Sequence, residues 1–212
     1  MTRTWLLLLG ALATVGFATL VLVAVPSIML VDVPRPPQLA PYTDAQARGR
    51  AVYIANGCIY CHTQQVRDPA FTTDLSRGWG TRASVPADYV YDRPALVGTM
   101  RTGPDLLNVG SRLPDANWHL IHLYQPRSVA PWSIMPSFRF LFELQDARYV
   151  RPDARVVDTP GRFAAPPGKV IVAKPAAIAL VGYLLSLKRD YPVPPAGDRA
   201  VATGGRSVHT MP

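Results

Sequence analysis

Asn56-Gly57-Cys58-Ile59-Tyr60-Cys61-His62 contains the only two cysteines of a 212-residue chain. Thiols three residues apart with a histidine directly after them suit three chemistries: a redox dithiol, half of a zinc site, or the anchor of a c-type haem. A structural zinc needs four nitrogen or sulfur ligands. The remaining histidines, His119, His122 and His209, do not complete any common zinc spacing. A thioredoxin-like dithiol calls for a strand before the motif and βαβ units around it. The residues before it instead have helical periodicity: in Asp44–Ala55, Gly49, Val52 and Tyr53 share one face and Arg48 and Arg50 another. C-x-x-C-H at the end of a short helix is the haem-attachment pattern. The motif therefore predicts thioether bonds from Cys58 and Cys61 to one haem c, with His62 carried under the iron as proximal ligand.

Upstream of the motif, no charged residue occurs between Thr4 and Val31, and Trp5–Val25 is almost wholly apolar. That run is long enough to cross a hydrocarbon layer of about 30 Å as a helix. It exceeds the apolar core of a cleavable signal peptide (about 7–15 residues), and no small-x-small cleavage pattern precedes Pro26. Residues 1–32 are expected to be an uncleaved transmembrane anchor. Val33–Pro41, with four prolines, is expected to be a stiff extended linker. Residues 42–190 form one domain, and residues 191–212, rich in Pro and Gly, a disordered tail.

The sixth iron ligand has to come from elsewhere in the domain. Met135, followed by Pro136 in a loop between helical stretches, suits a ligand strap, and Met100 is the runner-up. His119 and His122, on a helix over Asn117–Leu123, are expected to be packing or surface histidines. The closing helix is expected over Ala176–Lys188, with a broad apolar face. Gly49 is a close-approach point for Tyr183 on that helix. Arg101 and Arg112, flanking Gly103-Pro104-Asp105-Leu106, are candidate contacts for haem propionates.

This order of parts resembles class I cytochromes c. A longer match resembles one family more closely. Tyr89-Val-Tyr-Asp-Arg-Pro-Ala-Leu-Val-Gly-Thr-Met-Arg-Thr-Gly-Pro-Asp-Leu106, Val109-Gly110, Trp118-His119-Leu120, Gln125-Pro-Arg127 and Ser133-Ile-Met-Pro136 are similar to the mono-haem, membrane-anchored subunit II of cbb(3)-type cytochrome c oxidases. The similarity covers roughly residues 1–190. Met100 and Phe138–Phe142 depart from the family's usual residues at those places. The resemblance implies a mainly α chain: one transmembrane helix, then a class I cytochrome c domain with long loop insertions at Thr63–Arg101 and Ser137–Val172. It implies that the Pro104 carbonyl accepts the His62 imidazole N–H.

The resemblance also implies an electron-transfer subunit of a terminal oxidase. Electrons would come from other haem c subunits or a soluble donor and pass to a polytopic haem–copper partner. A membrane-tethered cytochrome shuttle and a haem c subunit of a nitric oxide reductase are the alternatives. No nucleophile–base pair or phosphate loop is evident, so the chain itself is expected to be non-catalytic. Covalent haem implies an exported domain, placing the N-terminus in the cytoplasm and the haem domain in the periplasm. The formal charge of +8 suits acidic protein partners rather than nucleic acid, given the membrane anchor. Small residues Gly10, Ala13, Gly16, Ala18 and Ala24 would let another helix approach. Phe138, Phe140 and Phe142 are expected to alternate outward as an apolar ridge.

Overall fold

The computed structural model describes residues 2–31 and 33–193. Helix α1 (Thr2–Thr19) passes through a widened π-helical turn, Leu20–Ala24, into α2 (Val25–Met29). Pro26 accounts for the widening, because it has no N–H to return to the preceding turn and its ring crowds the carbonyl below. Side chains support the neighbouring backbone: Ser27 Oγ donates to the Val23 carbonyl at 2.6 Å, and Thr14 Oγ1 to that of Gly10 at 2.9 Å. Arg3–Met29 is one run of 27 residues, long and apolar enough to cross a membrane, and none of its most apolar stretch is buried inside the protein. At 1.5 Å per residue it spans about 40 Å, more than the hydrocarbon layer requires.

The stretch after the helix is not the extended spacer expected from its prolines. It turns at Pro36, where the Leu39 N–H donates to the Pro36 carbonyl at 3.0 Å. Pro36 and Leu39 are buried, and the Arg35 guanidinium lies over the Tyr91 ring, 5.7 Å from its centroid. Buried apolar contact keeps this segment on the domain.

Helix α3 (Asp44–Ala55) begins with a capping box: Thr43 Oγ1 accepts from the Gln46 N–H, and the Gln46 side chain accepts from the Thr43 N–H. Two orphan donors are satisfied reciprocally. Helix α4 (Val109–Arg112) is a single turn, and α5 (Ala116–Tyr124) is capped by the Asp115 carboxylate. Helix α6 (Pro175–Ser186) starts on a proline, which loses nothing there because the first N–H groups have no helical partner. Helices α3 and α6 cross at Gly49. A Cβ on Gly49 would stand 1.9 Å from the Ala179 carbonyl oxygen and 2.8 Å from Tyr183 Cβ, so only glycine allows this approach. Tyr53 and Tyr183 pack edge-on beside the crossing, with centroids 5.6 Å apart. Leu120, Ile171, Leu180 and Leu187 are buried around them, each contributing about 1.5–3 kcal/mol by leaving water.

Two segments break the helical pattern. Residues 63–101 are held by polar contacts. Asp105 accepts from Thr63 Oγ1, the Gln65 N–H and the Leu107 N–H. Asp74 accepts from the Arg67 N–H and pairs with Arg101. Asp88 takes a bidentate grip from Arg82 at 2.9 and 2.7 Å. The second segment, expected as a loop over Ser137–Val172, instead builds a small antiparallel sheet. Strands β1 (Phe142–Asp146), β2 (Val156–Val157) and β3 (Lys169–Ala173) lie in the order β1-β3-β2, with Phe142 opposite Ala173 and Val157 opposite Ile171.

The sheet also corrects the phenylalanine ridge. Arg139–Leu141 is a 3₁₀ turn rather than extended chain, so outward alternation fails. Phe142 is buried against Tyr124 with centroids 5.3 Å apart, Phe138 leans on Phe140, and of the three only Phe140 is exposed. In the tail, the Tyr191 carbonyl accepts from Arg82 Nε at 3.0 Å, so side-chain contacts with the domain reach residue 191. Residues 194–212, expected to be disordered, lie outside the described residues.

Candidate functional site

The end of α3, the loop 102–106, α5, the strap 130–136 and α6 enclose a largely apolar cavity of about 480 Å³, within the usual range for a bound small molecule. Cys58 and Cys61 lie on its wall with His62 next to them. A 3₁₀ turn, Cys58–Tyr60, follows α3, and the His62 N–H donates to the Cys58 carbonyl at 3.0 Å. This turn brings both thiols and the imidazole to one edge of the cavity.

The His62 ring is fixed from behind. Its Nδ1 lies 2.8 Å from the Pro104 carbonyl oxygen. A carbonyl can only accept, so the proton is on Nδ1 and the lone pair is on Nε2. Burial lowers the His62 pKa from its ordinary value, and the Pro104 contact opposes the shift. Gly103 makes room for it: a Cβ there would stand 2.2 Å from His62 Cε1 and 2.7 Å from Nδ1. The loop itself is tied to the motif by the Gly103 N–H to the Cys61 carbonyl at 2.9 Å and the Leu106 N–H to the Thr63 carbonyl at 2.8 Å.

The geometry separates the sequence candidates. Met135 lines the cavity, whereas Met100 lies outside it with 59% of its surface exposed. The strap carrying Met135 is fastened to α5 by the Phe138 N–H to the Leu123 carbonyl at 2.9 Å and by Ser137 Oγ to the Gln125 side chain. Arg112 is on the wall and donates to the Asp105 carbonyl, but its buried Nε has no partner among the described residues. Arg101 does not reach the cavity. Asp74, Thr63 Oγ1 and the Gln65 carbonyl engage its guanidinium, and the expectation of a propionate contact there is withdrawn.

His119 is a packing histidine, buried with Nε2 2.8 Å from the Leu113 carbonyl. His122 is different. It faces the cavity, stacked flat on Trp118, and its Nδ1 is buried without a partner among the described residues. Sequence reasoning had put both histidines in one class. Their i,i+3 spacing marks a shared face, but only tertiary packing separates the bonded ring from the free one. The Tyr53 hydroxyl, also on the wall, is likewise unpartnered.

This donor set bears on the three chemistries. Burial pushes the Cys58 thiol up to about 11, the opposite of the lowered thiol pKa of a reactive dithiol. Among the described residues no group of three His, Cys, Asp or Glu side chains could hold a metal ion. A c-type haem fits this donor set: two thiols on one edge, an imidazole with Nδ1 bonded to the Pro104 carbonyl and Nε2 free, a thioether on the strap, and an unanswered guanidinium N–H for an acidic substituent. No curated protein matches the chain. The family model for the cytochrome c oxidase mono-heme subunit, FixO, matches residues 1–161, and the chain belongs to that family.

Proposed function

We propose that residues 42–190 are a class I cytochrome c domain that relays single electrons within a membrane-bound terminal oxidase, toward a haem–copper subunit that reduces oxygen. The haem supplies the reversible one-electron couple. Cys58 and Cys61 would hold it through thioethers, His62 Nε2 and the Met135 sulfur would ligate its iron, and Pro104 fixes the His62 ring. Arg112 answers a propionate. A haem held by both His62 and Met135 would serve as a relay rather than as an oxygen-binding site. A methionine ligand also keeps the potential higher than a second histidine would.

The observation that carries this reading is the His62–Pro104 contact in the same cavity as Met135 and the two cysteines. The family name favours an oxidase over a nitric oxide reductase as the host complex. Covalent haem attachment favours a periplasmic domain on a single-pass anchor in the cytoplasmic membrane, with its N-terminus inside. The electron donor is another haem c subunit or a soluble carrier.

The test is Met135→Ala in the full chain. The haem should remain covalently attached, the methionine–iron absorption band should vanish, and the midpoint potential should fall. A band that survives this change and is lost instead in Met100→Ala would reverse the ligand assignment.

A further inference from the structure

The segment between the apolar helix and α3 is fastened to the domain at two places, and both lie on one short turn. The Arg35 guanidinium stands over the Tyr91 ring. Farther along, the Tyr42 hydroxyl donates to Asp92 Oδ1 at 3.0 Å. Between them Pro36 and Leu39 are buried, and the Leu39 N–H closes a turn on the Pro36 carbonyl. Residues 35–42 therefore run along the domain with both ends gripped by neighbouring residues.

Asp92 is the centre of the second grip. Its side chain is only 6% exposed, and Arg50 Nε on α3 lies 3.4 Å from its Oδ1. Arg50 also donates to the Pro94 carbonyl. Arg189, just past α6, donates to the Tyr42 oxygen at 3.1 Å. A phenol gives one proton and accepts another, so Tyr42 receives from Arg189 and gives to Asp92. Burial raises the Asp92 pKa, and the Tyr42 hydroxyl, Arg189 and Arg50 all oppose that shift. The Tyr42 ring packs on Tyr183 of α6 with centroids 5.5 Å apart. None of these four polar residues lines the cavity of His62 and Met135.

A buried ion pair is a poor device for stability alone, because apolar residues of the same size often hold at least as well. Apolar contact, however, has no direction, whereas hydrogen bonds admit a narrow range of geometry. This joint therefore selects one placement of the segment. We propose that Asp92 and Tyr42 are positioning residues for electron transfer: their bond, with the Arg35–Tyr91 contact, clasps residues 35–42 to the domain and so sets the height and orientation of the haem over the membrane. Electron transfer weakens steeply with distance. A domain held at one height delivers electrons at one rate, whereas a domain on a free segment would visit many heights. This inference rests on the anchor and relay readings proposed above.

The rate is measured in the detergent-extracted oxidase complex, as reoxidation of the reduced haem c by oxygen. A wild-type haem that is not reoxidised through the complex would refute the relay reading, and this inference with it. Tyr42→Phe keeps the ring on Tyr183 and removes the hydroxyl; Asp92→Ala removes the acceptor. In both variants the absorption spectrum and midpoint potential should stay at wild-type values. A broad-specificity protease should cut the full chain within residues 33–41 severalfold faster, and reoxidation should slow severalfold. The double variant should be no worse than either single one, since both act through one bond. Unchanged protection and rate in Tyr42→Phe overturns the proposal even where Asp92→Ala fails to fold. A shifted potential, or a slower rate with the segment still protected, overturns it too, because the residues would then act on the haem pocket rather than on its placement. Lost protection with a wild-type rate also overturns it, since the joint would then be structural only.

Discussion

Gly103 and Gly182 make opposite predictions from the same missing side chain. A Cβ on Gly103 would meet the His62 ring at 2.2 Å, and His62 is clamped to Pro104, so the ring has to tilt or the loop has to move. Gly103→Ala should therefore leave the thioether bonds intact, lose the six-coordinate low-spin spectrum in part of the molecules, and cost about 1–3 kcal/mol of stability. Gly182 lies within α6 with nothing within 4 Å of its ideal Cβ. Gly182→Ala should leave the spectrum unchanged and raise stability by up to about 1 kcal/mol, the helix propensity difference. Absorption spectra and thermal melts of the two variants measure both. Equal effects would mean that the contact at His62 is not what holds residue 103 to glycine.

At the level of elements, the segment 63–101 stands on buried carboxylates, and Asp74 gives it a pH dependence. Burial alone would raise the Asp74 pKa, but the Arg101 guanidinium and the Arg67 N–H hold it below the ordinary carboxylate value. A depressed folded pKa means that the unfolded chain takes up the proton first. The stabilisation is then complete above the unfolded value of about 3.9 and is lost as pH falls through the lower, folded one. Asp74→Asn should lower stability at pH 7, because Arg101 loses its nearest carboxylate, but by less than the roughly 3–5 kcal/mol of a fully orphaned buried charge, since Asp105 still lies 3.9 Å away. It should also flatten the fall in stability below pH 4. Urea midpoints at pH 7 and pH 3 check this, and an unchanged acid limb would put the acid sensitivity on another group. Helices α3, α5 and α6 were legible in the sequence because caps and a 3.6-residue apolar period are local signals. The segment 63–101 carries no such period, since its order comes from side chains bonded to distant backbone. Strand β3, the β-branched run Lys169–Ala173, resembles a strand by itself. Its pairing with Phe142 lies about thirty residues away and only folding reveals it. The cysteines, His62 and Met135, which the structure brings to one cavity, stand out in the sequence as motifs, whereas the places of His122, Arg101 and Arg112 depend on which side of the cavity wall each reaches.

On the scale of the whole molecule, the remaining question is whether the domain is a fixed subunit or a carrier on a leash. A leash should be free, yet Pro36 and Leu39 are buried and Arg35 lies over Tyr91. The domain's reach from the membrane is thereby shortened, which suits transfer to a partner docked in the same membrane. On the apolar N-terminal helix, Gly10 and Gly16 have open space where a Cβ would project. Small residues of this kind let another helix backbone come close, and packing drives association there because lipid is as apolar as the helix. Replacing Gly10, Ala13 and Gly16 together with leucine keeps the helix apolar and able to span, but blocks that approach. The variant should insert, attach its haem and show the wild-type spectrum, while the haem–copper subunit recovered with it from mild detergent falls about tenfold, equivalent to about 1.4 kcal/mol of lost helix packing. Phe140→Ser serves as a comparison on the exposed face of the domain, since Phe138 and Phe142 are needed for packing. Wild-type recovery of an active oxidase with the triple leucine variant would remove the helix contact, and wild-type recovery with both variants would leave the tethered carrier as the better account of the chain.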